Sequence, residues 1–164
     1  PGLVEQLDYE AALAVIIGKT AKGVPAERAA EYIFGYTVLN DVSARALQTA
    51  HKQWYYGKSL DGFTPMGPCI LTADEVAFPP ALEISARVNG ELRQRSNTRL
   101  LITGIAEIIQ DLSAGITLLP GTIIATGTPA GVGMGFTPPR FLEPGDVVEC
   151  TVEGIGTLRN TVQP

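Results

Sequence analysis

The stretch LDYEAALAVIIGK, Leu7–Lys19, decides the fold of this chain, because its side chains sort into two sets when it is extended. Tyr9, Ala11, Leu13, Val15 and Ile17 share one face; Glu10, Ala12, Ala14 and Ile16 share the other. Both faces are apolar enough for a buried strand, apart from Glu10. A polar group buried without a partner costs about 2–7 kcal/mol, so some other part of the chain has to answer that carboxylate.

Outward from this strand, PAERAAEYIFG (25–35) predicts a short helix, with Pro25 in its first turn and Gly35 as its stop. YTVLNDV (36–42) is alternating and β-branched, a strand. SARALQTAH (43–51) favours helix, with Ser43 as N-cap. Residues 52–68 hold Gly, Pro and aromatic residues without a period and read as an ordered loop. CILTA (69–73) and LEISARVNGELRQRS (82–96) are strands, the second folded into a hairpin at Asn89-Gly90. TRLLITGIAEIIQDLSAG (98–115) predicts one long helix whose stripe is Leu101, Ile105, Ile108, Ile109 and Leu112, closed by Gly115. TLLPGTIIATGTPAGVGMGF (117–136) runs from a strand into a Gly-rich loop, and EPGDVVECTVEGIGTLRNTV (143–162) gives two last strands. The expected fold is mainly β with a few helices, in one domain over residues 1–164.

Composition narrows the function classes. The chain has 164 residues, 45% hydrophobic and 18% charged, which suits a packed core rather than disorder. A net charge of -5 with scattered basic residues argues against nucleic acid or an anionic membrane as partner. No apolar run is long enough to span a bilayer. Cys69 and Cys150 are too few and too far apart for a disulfide framework or a zinc knuckle, so the expected compartment is the cytoplasm. The chain opens without Met and enters a strand pattern at once, as a domain would that lacks an N-terminal portion.

Several polar residues are candidates for chemistry. If a helix begins at Asp41, then Asp41, Arg45 and Gln48 fall on one face and point a carboxylate, a guanidinium and an amide into one space. The same spacing describes an exposed ion pair worth a few tenths of a kcal/mol, and spacing alone leaves both open. Lys58 and Asp61, in YYGKSLDGFTPMGP, are either a surface pair or members of a functional loop. ATGTPAGVG offers close backbone approach and the Thr128 hydroxyl, or simply reverses the chain; it has neither the Walker nor the Rossmann context. His51 is the only histidine, so any metal here is held by oxygen ligands, as Mg²⁺, Mn²⁺ or Ca²⁺ are.

Taken in order, GYTVLNDVSAR, QWYYGKSLDGFTPMGP, VNGELRQRSNT, TLLPGTIIATGTPAGVG and FLEPGDVVECTVEGIGTLRNTV resemble the signature blocks of the fumarylacetoacetate hydrolase family over nearly the whole chain. The resemblance implies a mixed β roll or sandwich, a homodimer, and a divalent cation, commonly Mg²⁺, that binds a small 2-oxo acid. It implies hydrolysis of acylpyruvate C–C bonds or isomerisation of unsaturated 2-oxo dicarboxylates from aromatic catabolism. An oxaloacetate-type decarboxylase, or a metal-poor and weakly active member with a structural role, are the alternatives. By the same resemblance Glu10 and Asp41 are metal ligands, Lys58 compensates oxyanion charge, Arg45 and Gln48 hold or polarise substrate, Thr128 bonds its carboxylate, and Asp61 lies close by. The family's first-strand Glu-x-Glu motif is broken here by Ala12, Ala46 replaces an Asp common after the Arg, and the His-Glu lid segment has no counterpart before Leu7.

Overall fold

The computed structural model describes residues 4–50 and 52–163, so His51 lies outside the described residues. The leading stretch is not one strand but two: β1 (Leu7–Asp8) and β2 (Ala11–Ile17), with Tyr9 and Glu10 between them. The other strands are β3 (Ile33–Asn40), β4 (Ser43–Ala44), β5 (Met66–Thr72), β6 (Glu83–Val88), β7 (Glu91–Asn97), β8 (Ile123–Ala125), β9 (Val147–Val152) and β10 (Gly156–Thr161). Among the described residues two α-helices join them, α1 (Arg45–Ala50) and α2 (Ile105–Gly115), with short 3-10 turns between. The expected mainly β class holds.

Two antiparallel four-stranded sheets, ordered β5-β3-β2-β8 and β10-β9-β6-β7, share one core, and β1 pairs β4 in a small third sheet. The alternation read from the sequence is realised in β2. Ala11, Leu13, Val15 and Ile17 enter the main core with Tyr36, Val38, Ala86, Val148, Cys150 and Val152. Ala12 and Ala14 face the other way and form a separate buried cluster with Leu39 of β3. An inner strand covered on both faces reads as a nearly continuous apolar run, as β2 does.

Three local expectations need correction, and a fourth is realised in a tighter form. The short helix expected after Pro25 is present at Ala26–Tyr32 as a 3-10 helix, and β3 starts directly after it. Its end is fixed because Tyr32 O accepts from Gly18 N at 2.7 Å, which leaves no length for further turns. Gly35 does not stop a helix. It sits inside β3, where a Cβ would collide with the Leu71 carbonyl of β5. Ser43 is not an N-cap, since it lies in β4 and the helix starts at Arg45. The long helix is also shorter than its apolar stripe suggests, and Thr98–Leu100 form a separate turn. There Thr98 Oγ1 donates to Pro80 O (2.7 Å) and accepts from Leu82 N (2.9 Å), tying the turn to the segment that leads into β6. Ile105 and Ile109 are buried, each worth about 1.5–3 kcal/mol.

Among the described residues no helix is long and apolar enough to cross a membrane. Cys69 and Cys150 are free thiols.

Candidate functional site

Where β2 and β3 begin and end together, the backbone of Glu10 is fastened on both sides. Glu10 N donates to Asn40 Oδ1 and Asp41 N donates to Glu10 O, each at 2.9 Å. The Glu10 and Asp41 side chains then meet at a single ammonium. Lys58 Nζ lies 3.1 Å from Glu10 Oε2 and 2.7 Å from Asp41 Oδ2, and donates also to Ser43 Oγ at 2.9 Å. All three of its N–H bonds are thereby committed.

Lys58 reaches this point from a one-turn 3-10 helix, Tyr56–Lys58, laid directly on α1. Gly57 permits that approach. A Cβ there would sit 2.6 Å from Gln48 N and 2.8 Å from Gln48 Cα. Arg45, at the start of α1, is only 4% exposed and is gripped at three points. Its Nε donates to Asp8 Oδ2 and its Nη1 to Gln48 Oε1, both at 3.0 Å. Nη2 lies 2.7 Å from Glu10 Oε1 without the alignment of a hydrogen bond. Five predicted residues, Glu10, Asp41, Arg45, Gln48 and Lys58, are therefore brought together. Helical spacing does not gather them, because Asp41 precedes α1. Tertiary contacts of β2, β3 and the Lys58 turn do.

Two predicted residues, Thr128 and Asp61, make no side-chain hydrogen bond or ion pair with these five among the described residues. Thr128 lines a cavity of about 730 Å³ with Leu13, Ile84, Ile124 and Leu112, and none of the five lines it. Its hydroxyl donates to Ala11 O at 2.7 Å and accepts from Gln94 Nε2 at 2.8 Å. A substrate carboxylate at Thr128 Oγ1 would have to displace the Ala11 carbonyl. Asp61 lines another cavity, of about 480 Å³, beside Asn40 and Phe63, and among the described residues it forms no ion pair.

Other polar side chains hold the site without having stood out in the sequence. Asp8 is completely buried and binds Arg45. Gln94, also completely buried, accepts from Ala11 N at 3.0 Å and donates to Thr128 Oγ1 and to Pro129 O (2.7 Å), joining β7 to β2 and to the Gly-rich loop. Tyr9 Oη donates to Gly131 O at 2.7 Å. Burial, partly offset by Arg93, raises the Tyr9 phenol above its ordinary range and keeps it a donor.

The donor set suits a hard cation. Glu10 and Asp41 offer carboxylate oxygens with 13% and 24% of their side chains exposed, so water reaches both. Among the described residues no three carboxylate, imidazole or thiol groups converge. Two carboxylates and several waters are how proteins commonly hold Mg²⁺, so Glu10 and Asp41 would fit such an ion where Lys58 Nζ, which now bridges them, gives way.

The sequence profile of the family described as fumarylacetoacetate (FAA) hydrolase C-terminal matches residues 1–163. The oxaloacetate tautomerase YisK of Bacillus subtilis is 50% identical over 160 residues, 98% of this chain and 53% of that protein. A fumarylacetoacetate hydrolase structure from Exiguobacterium antarcticum superposes with a TM-score of 0.95 at 50% identity, covering 99% of this chain and 58% of that one. A Pseudomonas aeruginosa fumarylpyruvate hydrolase, solved with Mn²⁺ and pyruvate, superposes with a TM-score of 0.90 at 35% identity, over 99% and 68%. The chain spans about half the length of the curated relatives it matches.

Proposed function

Because this chain belongs to the fumarylacetoacetate hydrolase C-terminal family, we propose that it catalyses enolate chemistry on a small 2-oxo acid. The reactions in view are keto–enol tautomerisation or isomerisation, and C–C hydrolysis of an acylpyruvate. The observation that carries the reading is the convergence of Lys58 Nζ and Arg45 Nη2 on Glu10, beside the second carboxylate of Asp41. Enolisation needs cationic donors where negative charge develops on oxygen, with groups nearby that accept protons. Arg45 and Lys58 supply the donors. A substrate oxygen reaches Lys58 Nζ by replacing one of its three present partners, and reaches the buried Arg45 Nη2 by displacing Glu10 Oε1 from its side. Gln48 fixes the plane of that guanidinium. Glu10 and Asp41 would hold a divalent cation, which when bound acts as a Lewis acid on the 2-oxo oxygen.

The names of two relatives favour this class: one is an oxaloacetate tautomerase, the other a fumarylpyruvate hydrolase holding Mn²⁺ and pyruvate. Ala12 supports the metal-poor alternative, since it leaves no carboxylate two residues after Glu10, at the next position on the same strand face. A homodimer belongs to the same proposal. Leu100, Ile102, Ile116 and Leu119, all exposed, offer apolar surface for it, and sedimentation at micromolar concentration tests it.

The test is a spectrophotometric screen of oxaloacetate, acylpyruvates and unsaturated 2-oxo dicarboxylates, with Mg²⁺, with Mn²⁺ and with chelator. Turnover of at least one class that falls in Lys58→Met supports the reading. No acceleration of any of them overturns it.

A further inference from the structure

Asp8 is an ionisable side chain with no solvent exposure, and its two oxygens are filled by four N–H groups, three of them from distant parts of the chain. Oδ1 accepts from Tyr9 N at 2.9 Å and from Gly133 N at 2.6 Å. Oδ2 accepts from Met134 N at 3.0 Å and from Arg45 Nε at 3.0 Å. One carboxylate thus touches both the Gly-rich loop and the guanidinium of the site.

Gly133 is part of this arrangement. A Cβ at that position would lie 2.7 Å from Asp8 Oδ1 and would also collide with the Arg140 carbonyl. Only glycine lets the loop backbone come close enough to donate. The loop is fixed independently as well, since Gly131 O accepts from Tyr9 Oη at 2.7 Å and Gly133 O accepts from Arg140 N at 2.9 Å. Of the three contacts that orient Arg45, Gln48 lies on its own helix and Glu10 is partly open to water. Asp8 is the one that ties the guanidinium to a separate, rigid segment.

We propose that Asp8 is a positioning residue that couples the 131–135 loop to Arg45, so that the loop backbone sets where Arg45 Nη2 is presented to a substrate oxygen. This rests on Arg45 contacting substrate, as the proposed function has it, but the coupling itself is measurable without substrate.

The experiment follows the Arg45 Nε–H signal in protein labelled with ¹⁵N-arginine, assigned by its loss in Arg45→Lys. In the unaltered protein this proton should exchange with solvent at least about tenfold more slowly than that of the exposed Arg99, because it is buried and bonded. Two variants then act from opposite ends. Asp8→Asn removes the charge that Nε–H faces. Gly133→Ala acts from the loop and touches no atom of Arg45. Both should shift the Arg45 signal and accelerate its exchange to near the Arg99 rate, and on any substrate found, kcat should fall more than KM changes.

An Arg45 signal left in place by Gly133→Ala, in a folded protein, makes Asp8 a purely structural group and overturns the proposal. So does fast exchange of Arg45 Nε–H in the unaltered protein, a result that needs no variant to fold. Absence of turnover on every 2-oxo acid would overturn the proposed function and leave the coupling result standing.

Discussion

Ala12 stands directly across the β2–β3 ladder from Leu39, and both are almost fully out of solvent. The position after Glu10 on its strand face is therefore occupied by packing. Ala12→Glu should overpack this cluster and cost about 1–3 kcal/mol in the presence of chelator. The same variant should gain more melting temperature from Mn²⁺ than the unaltered protein does, because added carboxylates raise the affinity of a hard cation and only the native state binds it. Thermal melts with Mn²⁺ and with chelator check both halves. An equal or smaller Mn²⁺ gain in the variant shows that its carboxylate does not reach the Glu10 and Asp41 pair.

Lys58→Met should leave Glu10 and Asp41 facing each other without their shared ammonium. Loss of one member of a fully buried ion pair costs about 3–5 kcal/mol. Here water reaches Asp41 and Glu10, so about 1–3 kcal/mol is expected from the loss of charged hydrogen bonds. Denaturant midpoints measure this. On a substrate identified by the screen, kcat should drop by about 100-fold or more, as when one oxyanion donor is removed.

Gly57→Ala should separate the Lys58 turn from α1, because the added methyl meets the Gln48 backbone rather than a flexible side chain. The expected loss is about 1–3 kcal/mol of stability, measured as a drop in the denaturant midpoint. A variant as stable as the parent would mean that the turn can slide on α1 at little cost.

Alkaline pH should unfold the protein from within. Burial pushes the Cys150 thiol up to about 12 from an ordinary 9.0, and the Tyr36 phenol up to about 12 from 10.0. Both groups keep their protons in the folded chain and release them when unfolded. Their contribution is complete below about pH 9 and declines as pH rises toward 12. Melting temperature should fall across this window, and Cys150→Ala should flatten the slope even though its cavity lowers the starting value. Parallel slopes in the two proteins would rule out the thiol as a cause.

The β2 face pattern and the Asn89-Gly90 turn were legible in the sequence, because period-two alternation and the left-handed backbone of that turn (φ 51° and 81°) are local properties. The convergence of Glu10, Asp41 and Lys58 became legible only through family resemblance, since no local pattern brings three such distant positions together. Asp8 had no signal of its own: two of its partners lie more than a hundred residues away, and both are backbone N–H groups. Gln94 was hidden for another reason. Counting outward from the two-residue turn places Arg93 opposite Ala86, with the inward face. A bulge between Ala86 and Arg87 shifts the ladder by one residue and turns Gln94 inward instead.

That inward glutamine bears on how the sequence is free to drift. Two of its partners, Ala11 N and Pro129 O, are main-chain atoms, and Thr128 meets the third main-chain atom, Ala11 O. Replacement of the side chains at 11 or 129 by others of fitting size leaves these bonds intact, whereas replacement at 94 or 128 breaks them. Sequence variation among working versions of this chain should accordingly accumulate at the first pair of positions and be rare at the second.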